Sequence, residues 1–376
     1  MYDVAIVGAG INGCAVAHEF VEAGKRVLLL ESEAVAAGGS GAAGAFISPK
    51  FSKSGLLKEL LEEAFCYAME YYAEHFPDTF TKTPLLHIAK DAADDAKLLA
   101  WKESTSLPLL TPDPHLLTRL TPKAKERVHL CIDAGVVAAK DVCRAMSQGA
   151  TLCYEALREY RYEEDHWLLN NTHRAKVVVF ATGAYKSLHS ESYIKLRGVW
   201  GHRIDIETKE VNPLSIHQFV SIAPSCEGVV AIGATHNVHY HPQTSKEAYD
   251  LEAGRKELLQ KAAQTLQWRG DEKVVADYTG LRSGSFDYLP LLGGLVDSKA
   301  SLAPELVKKL KVKRPNSNLV QTHKDLYMIN GSGGYGFVLA PLLAKKLYAH
   351  IEEGIPIEEE LLPARFFLRA LKRDRL

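Results

Sequence analysis

The sequence offers little that would tie it to a metal, a membrane or an oxidising compartment. Its six cysteines, Cys14, Cys66, Cys131, Cys143, Cys153 and Cys226, form no C-x-x-C pair and no metal-type spacing, so reduced core thiols, no disulfide and no metal are expected. No apolar run approaches the roughly 20 residues that a membrane span requires. The first strand begins almost at once, which leaves no room for a charged and apolar leader, so a cytoplasmic location without a membrane partner is the expectation. An excess of one charge is missing too. Lys and Arg number 45 against 46 Asp and Glu, so no global field draws the chain toward nucleic acid, although local patches remain open. Internal repeats and low-complexity linkers are absent. With 376 residues, 47% of them hydrophobic, the chain has enough apolar material for a large core and is expected to form two domains.

What it does have is small residues where apolar strands end. The run from Val4 to Val7 stops at Gly8, and Gly8, Gly10 and Gly13 follow the spacing G-x-G-x-x-G. Ala15, Val16, Phe20 and Val21 then recur at helical intervals before a second apolar run, Val27 to Leu30. That pattern is strand, helix, strand. The glycines let backbone amides around Ile11 and Asn12 approach a pyrophosphate at the positive end of the helix, and Glu31 can accept hydrogen bonds from an adenosine ribose. Dinucleotide binding is therefore expected, with a merely tight turn as the competing reading.

A second small-residue stretch bears on which dinucleotide. In a nicotinamide enzyme the second strand usually runs into another crossover helix, whereas here it enters "AAGGSGAAGAFISP", with Ser40, Gly41 and Gly44 as candidate contacts. A flavin dinucleotide needs such further amides because its ribityl chain and flat ring extend away from the first helix. A flexible hinge is the alternative. A third strand, Val177 to Phe180, ends in Ala181, Thr182 and Gly183. A fourth small stretch, with Gly331, Gly333, Gly334, Tyr335, Gly336 and Phe337, opens an amphipathic helix whose first amides suit the negative charge of a reduced flavin. Four such segments in this order imply FAD. Non-covalent attachment is expected, because no cysteine lies in a motif that should touch the ring.

These segments resemble the D-amino-acid oxidase-like flavoproteins, which include glycine oxidase and sarcosine oxidase, and the resemblance covers nearly the whole chain. Within that family "GLRSGSFDYLPLLGG" from Gly280, "INGSGGYGFVLAP" from Ile329, "GGSGAAGAFISP" and "LRGVWGHRI" are most similar to the oxidoreductase domain of the tRNA-modifying MnmC proteins. Ala42 and Ala43 depart from the polar residues often found there. The resemblance implies an α/β fold with a Rossmann-type FAD-binding domain; the spread of the cofactor segments from Gly8 to Gly336 and the changes in sequence texture make that domain discontinuous, with expected bounds 1–80, 131–195 and 280–376. A substrate domain of 81–130 and 196–279 is then built on a mainly antiparallel sheet. Short alternating runs such as "HRIDIE" and "GVVAIGAT" agree with that sheet.

The resemblance also implies an activity, FAD-dependent oxidation of the carbon beside an amine nitrogen followed by imine hydrolysis. In the family an arginine in the segment matching "GLRSGSFDYLP" holds the substrate carboxylate, and Arg282 stands there; its planar donors suit the task. An ion pair with Asp287 or Asp277 is the alternative. Tyr335 is a candidate to wall the pocket or bond the carboxylate, with packing as its alternative. Lys50 and Lys53 follow the cofactor loop and are candidates to face flavin or substrate, with plain solvation as theirs. His202 and Arg203 begin a substrate-domain strand, where an inward-facing histidine would accept a proton and an edge histidine would simply meet water.

Substrate choice stays open at this level. The MnmC resemblance implies tRNA bearing carboxymethylaminomethyl uridine at the wobble position, converted to aminomethyl uridine with release of glyoxylate, and leaves any methylation to a separate methyltransferase. A free glycine, sarcosine or D-amino acid presents the same glycine-like end to a small pocket. A protein that binds FAD without catalysis is the third possibility. A tRNA partner requires basic surface, and two stretches offer it. One holds Lys308, Lys309, Lys311, Lys313 and Arg314; the other interleaves Arg365, Arg369, Lys372, Arg373 and Arg375 with Phe366 and Phe367, a combination suited to phosphate and bases. A solvated charged face is the alternative for both.

Overall fold

The computed structural model describes residues 1–52, 54–185, 191–313 and 315–375. β1 (Tyr2–Val7), α1 (Ile11–Glu22) and β2 (Val27–Glu31) form the first crossover unit. β1 runs parallel to β2 on one side and to the strand His173–Phe180 on the other. Parallel pairing continues outward to Thr151–Tyr154 beyond β2 and to Thr322–Asn330 beyond His173–Phe180. Strands in such a sheet read as unbroken apolar runs because both faces are covered. Ile6 packs toward α1 and the helices Leu56–His75 and Gly336–Glu353, while its neighbours Ala5 and Val7 pack toward the helix Ala364–Lys372.

The second sheet has the order Lys273–Ser285, Leu196–Glu207, Val229–Gly233, Ser221–Ile222, Ser215–His217, Leu85–Ile88, His129–Ile132, Leu109–Leu110. Its described pairings are antiparallel apart from the one between Ser215–His217 and Leu85–Ile88. The helix Leu251–Thr265 covers its apolar face through Leu258 and Ala262. The architecture is thus α/β, a parallel dinucleotide-type sheet joined to a mainly antiparallel one.

We propose that the two sheets are the two domains, with boundaries that differ from those drawn by composition. His129–Ile132 lies wholly in the second sheet. Lys273–Ser285 runs through the expected limit at 279/280, and Gly284 near its end bridges to Ser332 of the carboxyl-terminal turn. A hydrogen-bonded strand can serve two domains without any change in texture. Among the described residues no helix is long and apolar enough to cross a membrane.

Candidate active site

A cavity of about 880 Å3 opens where the carboxyl ends of the parallel strands face the second sheet. This is the usual ligand position in open α/β sheets. Gly8 has φ +104, and a Cβ on it would lie 2.6 Å from the Ala181 carbonyl oxygen. A Cβ on Gly13 would lie 1.9 Å from the Gly8 carbonyl oxygen, so α1 can approach the turn only with hydrogen at that position. The second small-residue stretch is fastened to the first. Ser40 Oγ accepts the Ile11 N–H at 2.9 Å, satisfying one of the free donors at the start of α1. Gly39 has room for no Cβ either, since one would meet the Leu281 carbonyl oxygen at 2.6 Å, immediately before Arg282. Asn12 Nδ2 and Ser332 Oγ lie 3.2 Å apart and tie in the carboxyl-terminal turn.

Most of the expected cofactor residues form this wall. Gly8, Gly10, Ile11, Asn12, Glu31, Ser40, Gly44, Ala181, Thr182, Gly183, Gly333, Gly334, Tyr335, Gly336 and Phe337 line it, together with Lys50 and Arg282. Gly13, Gly41 and Gly331 do not. Gly13 and Gly41 stand behind it as close-packing positions, a Cβ on Gly41 meeting the Ala36 carbonyl oxygen at 2.2 Å, while Gly331 is set apart by its φ of +76. Glu31 accepts the Ala9 N–H at 2.8 Å through Oε2 and the Glu33 N–H at 3.0 Å through Oε1. Its further lone pairs remain for a ligand hydroxyl. Lys53 lies outside the described residues.

Arg282 projects from the strand Lys273–Ser285 into the cavity wall. Neither expected ion-pair partner is available to it. Asp287 is held by Arg365 and Arg369, and Asp277 by Arg255 and His202. Among the described residues Arg282 makes no salt bridge; Nη2 donates to the Thr235 carbonyl oxygen, and Nε is buried without a partner. Burial lowers its pKa from the ordinary guanidinium value. Burial also lowers the Lys50 ammonium and raises the Tyr335 phenol.

Residues 3–350 match the family described as FAD dependent oxidoreductase, DAO. The chain belongs to this family. Among curated relatives it is 24% identical to the tRNA 5-methylaminomethyl-2-thiouridine biosynthesis bifunctional protein MnmC of Legionella pneumophila, over 97% of this chain and 57% of that protein. It is 25% identical to the protein of that name from Ectopseudomonas mendocina, over 98% of this chain and 60% of the relative. The chain therefore spans somewhat under two thirds of the length of these relatives. Among solved structures, glycine oxidase from Bacillus cereus shares the fold with a TM-score of 0.76 at 21% identity, covering 97% of this chain and 98% of that one. Glycine oxidase from Geobacillus kaustophilus gives 0.73 at 22%, covering 95% of each.

The wall fits the family's cofactor. Two helices, α1 and Gly336–Glu353, begin on it, and the positions nearest their starts are glycines. Glu31 would hold the ribose, the starts of the two helices the negatively charged parts of FAD, and the second small-residue stretch the remainder. Several residues of this wall carried no recognisable sequence signal. Asn330 donates to the Gly183 carbonyl oxygen at 2.9 Å and accepts from Ser283 Oγ at 2.8 Å, tying two cofactor segments to the Arg282 strand. Tyr185 packs against Gly38. His87 and His217, from the strands Leu85–Ile88 and Ser215–His217, also line the cavity. Burial holds their pKa values at about 4 and about 3, so both rings are neutral at physiological pH, and His87 stacks on Phe51 at 4.1 Å.

Other expectations are corrected. His202 neither faces the cavity nor meets water; it is fully buried, with Nε2 2.9 Å from Asp277 Oδ1. Its neighbour Arg203 does line the cavity, donating to the Ala43 carbonyl oxygen at 2.7 Å. The basic-aromatic tail is not one surface. Phe366 and Phe367 are buried in the core, and Arg365 is buried against Asp287 at 3.0 Å. The first half of the helix Ala364–Lys372 is buried on all sides, while Lys372, Arg373 and Arg375 at its end stay exposed. The tail and the other basic stretch do meet, since Lys372 Nζ donates to the Lys313 carbonyl oxygen at 3.0 Å and Lys311 pairs with Asp374, which brings exposed cations of both stretches together around one acid. Arg314 lies outside the described residues.

Proposed function

We propose that the chain is an amine oxidoreductase acting on a CH–NH bond, and that its substrate is the carboxymethylaminomethyl group of a tRNA wobble uridine, released as aminomethyl uridine and glyoxylate. The observation that carries this reading is Arg282, a half-buried cation in the cavity wall whose Nε is out of reach of water and which has no carboxylate beside it. A guanidinium in that state is completed by a carboxylate from the ligand, which its planar donors grip with two parallel hydrogen bonds. Bound FAD supplies the two-electron acceptor for the carbon–nitrogen oxidation. The amine must be neutral when its carbon is oxidised, and Lys50, its ammonium destabilised by burial, lines the same cavity. Tyr335, whose phenol burial keeps protonated, walls the same region and can donate to the substrate. Water then hydrolyses the imine.

Support for tRNA over a small amine comes from the relatives named MnmC and from the exposed cations where the stretch of Lys308 to Lys313 meets the tail at Lys372. A free glycine-like amino acid is the second reading, favoured by the glycine oxidases that share the fold. FAD is held non-covalently in this proposal, because no cysteine is among the residues that line the cavity. Acid or heat denaturation then releases the flavin, and the readout that tests the substrate is anaerobic bleaching of the bound flavin by each candidate amine.

A further inference from the structure

Two aromatic rings stand exposed in the turn that follows the Arg282 strand. Phe286 and Tyr288 are each 61% exposed, although large apolar side chains so close together in sequence are normally covered. The turn is not loose. Between them Asp287 is gripped by Arg365 Nε and Nη2, both at 3.0 Å, and by Arg369, and it accepts from Ser285 Oγ at 3.1 Å. Arg365 also donates to the Leu289 carbonyl oxygen at 2.7 Å. Tyr288 is held at φ +67, a left-handed conformation that an aromatic residue rarely adopts and that persists only where neighbours fix the chain. The result is a rigid corner that presents two rings outward.

We propose that Phe286 and Tyr288 form a stacking platform for an unpaired nucleobase beside the active-site cavity; the assignment rests on the tRNA reading above. Position supports it. Arg282 and Phe286 are four residues apart on one chain, no more than about 14 Å between Cα atoms. A group whose carboxylate end reaches Arg282 would therefore have its parent polynucleotide within reach of this corner. Charge supports a nucleic acid rather than a neutral flat ligand. The Arg197 guanidinium lies 5.1 Å from the Tyr288 ring centroid, Lys195 is exposed next to the turn, and Asp287 is neutralised by two arginines. The helix Ala364–Lys372, about 13 Å long, runs from Arg365 at the turn to Lys372, so the platform and the exposed cation Lys372 stand at opposite ends of one short helix. Stacking beside cations is the way single-stranded nucleic acid is held without sequence reading.

The test is fluorescence anisotropy with the FAD-loaded protein and a labelled, unmodified anticodon stem-loop RNA, over a series of salt concentrations. Replacing both rings, Phe286→Ala with Tyr288→Ala, is expected to raise Kd about tenfold or more while leaving the slope of log Kd against log salt unchanged, because stacking releases no counterions. Phe286→Trp should keep the wild-type affinity. Lys308→Glu with Lys309→Glu should instead lower the slope. Flavin content and thermal midpoint of each variant show that it is folded. Equal Kd for the wild type and the double alanine variant, with RNA still bound, would overturn the platform and leave the tRNA reading intact. Absence of RNA binding by the wild type at low salt would overturn both.

Discussion

A guanidinium partly withdrawn from water with no carboxylate beside it is costly, and Arg282, half-buried with Nε unpartnered, is held in that state by the Thr235 carbonyl oxygen and by its place in the strand. The cost has a use if the ligand brings the carboxylate. Arg282→Ala is expected to lower kcat/KM for the amine substrate by about 2–5 kcal/mol, roughly 30-fold to several thousand-fold, with the flavin spectrum retained. Arg282→Lys should restore little, since an ammonium lacks the planar fork. Single-turnover flavin reduction measures both, and an alanine variant with wild-type rates would move the clamp elsewhere. His87 and His217 give a second residue-scale prediction. Their folded pKa values, about 4 and about 3, lie below the ordinary value of 6.5, so in acid the unfolded chain binds protons that the folded chain refuses. Stability should therefore be full above about pH 6.5 and fall as pH drops toward 4. Replacing both histidines with Gln should flatten that part of the curve in urea denaturation, and an unchanged slope would show that they titrate freely in the folded protein.

At the scale of elements, the first crossover unit was legible because its signal is local. Strand end, glycine spacing and helix period lie within the first thirty-one residues, and Gly8 and Gly13 meet close contacts that no other residue would tolerate. Gly13→Ala should consequently displace α1 from the turn and yield protein largely without flavin, read from the ratio of flavin to protein absorbance; a normal ratio would contradict the close-packing account. The opposite wall was not legible. His87 and His217 come together only through pairing of the strands Leu85–Ile88 and Ser215–His217, more than a hundred residues apart, and neither carries a motif. The tail was misread for a different reason. An amphipathic helix that buries Phe366 and Phe367 has the same mixture of aromatic and basic residues as a nucleic-acid surface, and only its packing on the sheet tells the two apart.

Over the whole molecule, a formal net charge of -1 leaves room for a local cluster of cations where the stretch of Lys308 to Lys313 meets the tail at Lys372. Reversal of Lys308, Lys309 and Lys311 to Glu should weaken turnover of tRNA and flatten its salt dependence, because fewer counterions are released on binding. A salt slope equal to that of the wild type would place the RNA on another face. The central claim joins this surface to Arg282, with remote polynucleotide contacts positioning a small glycine-like group that the cavity alone would bind weakly. Its most direct test is anaerobic mixing of the oxidised, FAD-loaded protein with tRNA carrying carboxymethylaminomethyl uridine or with free glycine, while flavin absorbance is followed. Fast bleaching by the tRNA, with glyoxylate formed and glycine nearly inert, is the predicted result; fast bleaching by glycine with none by the tRNA would contradict it.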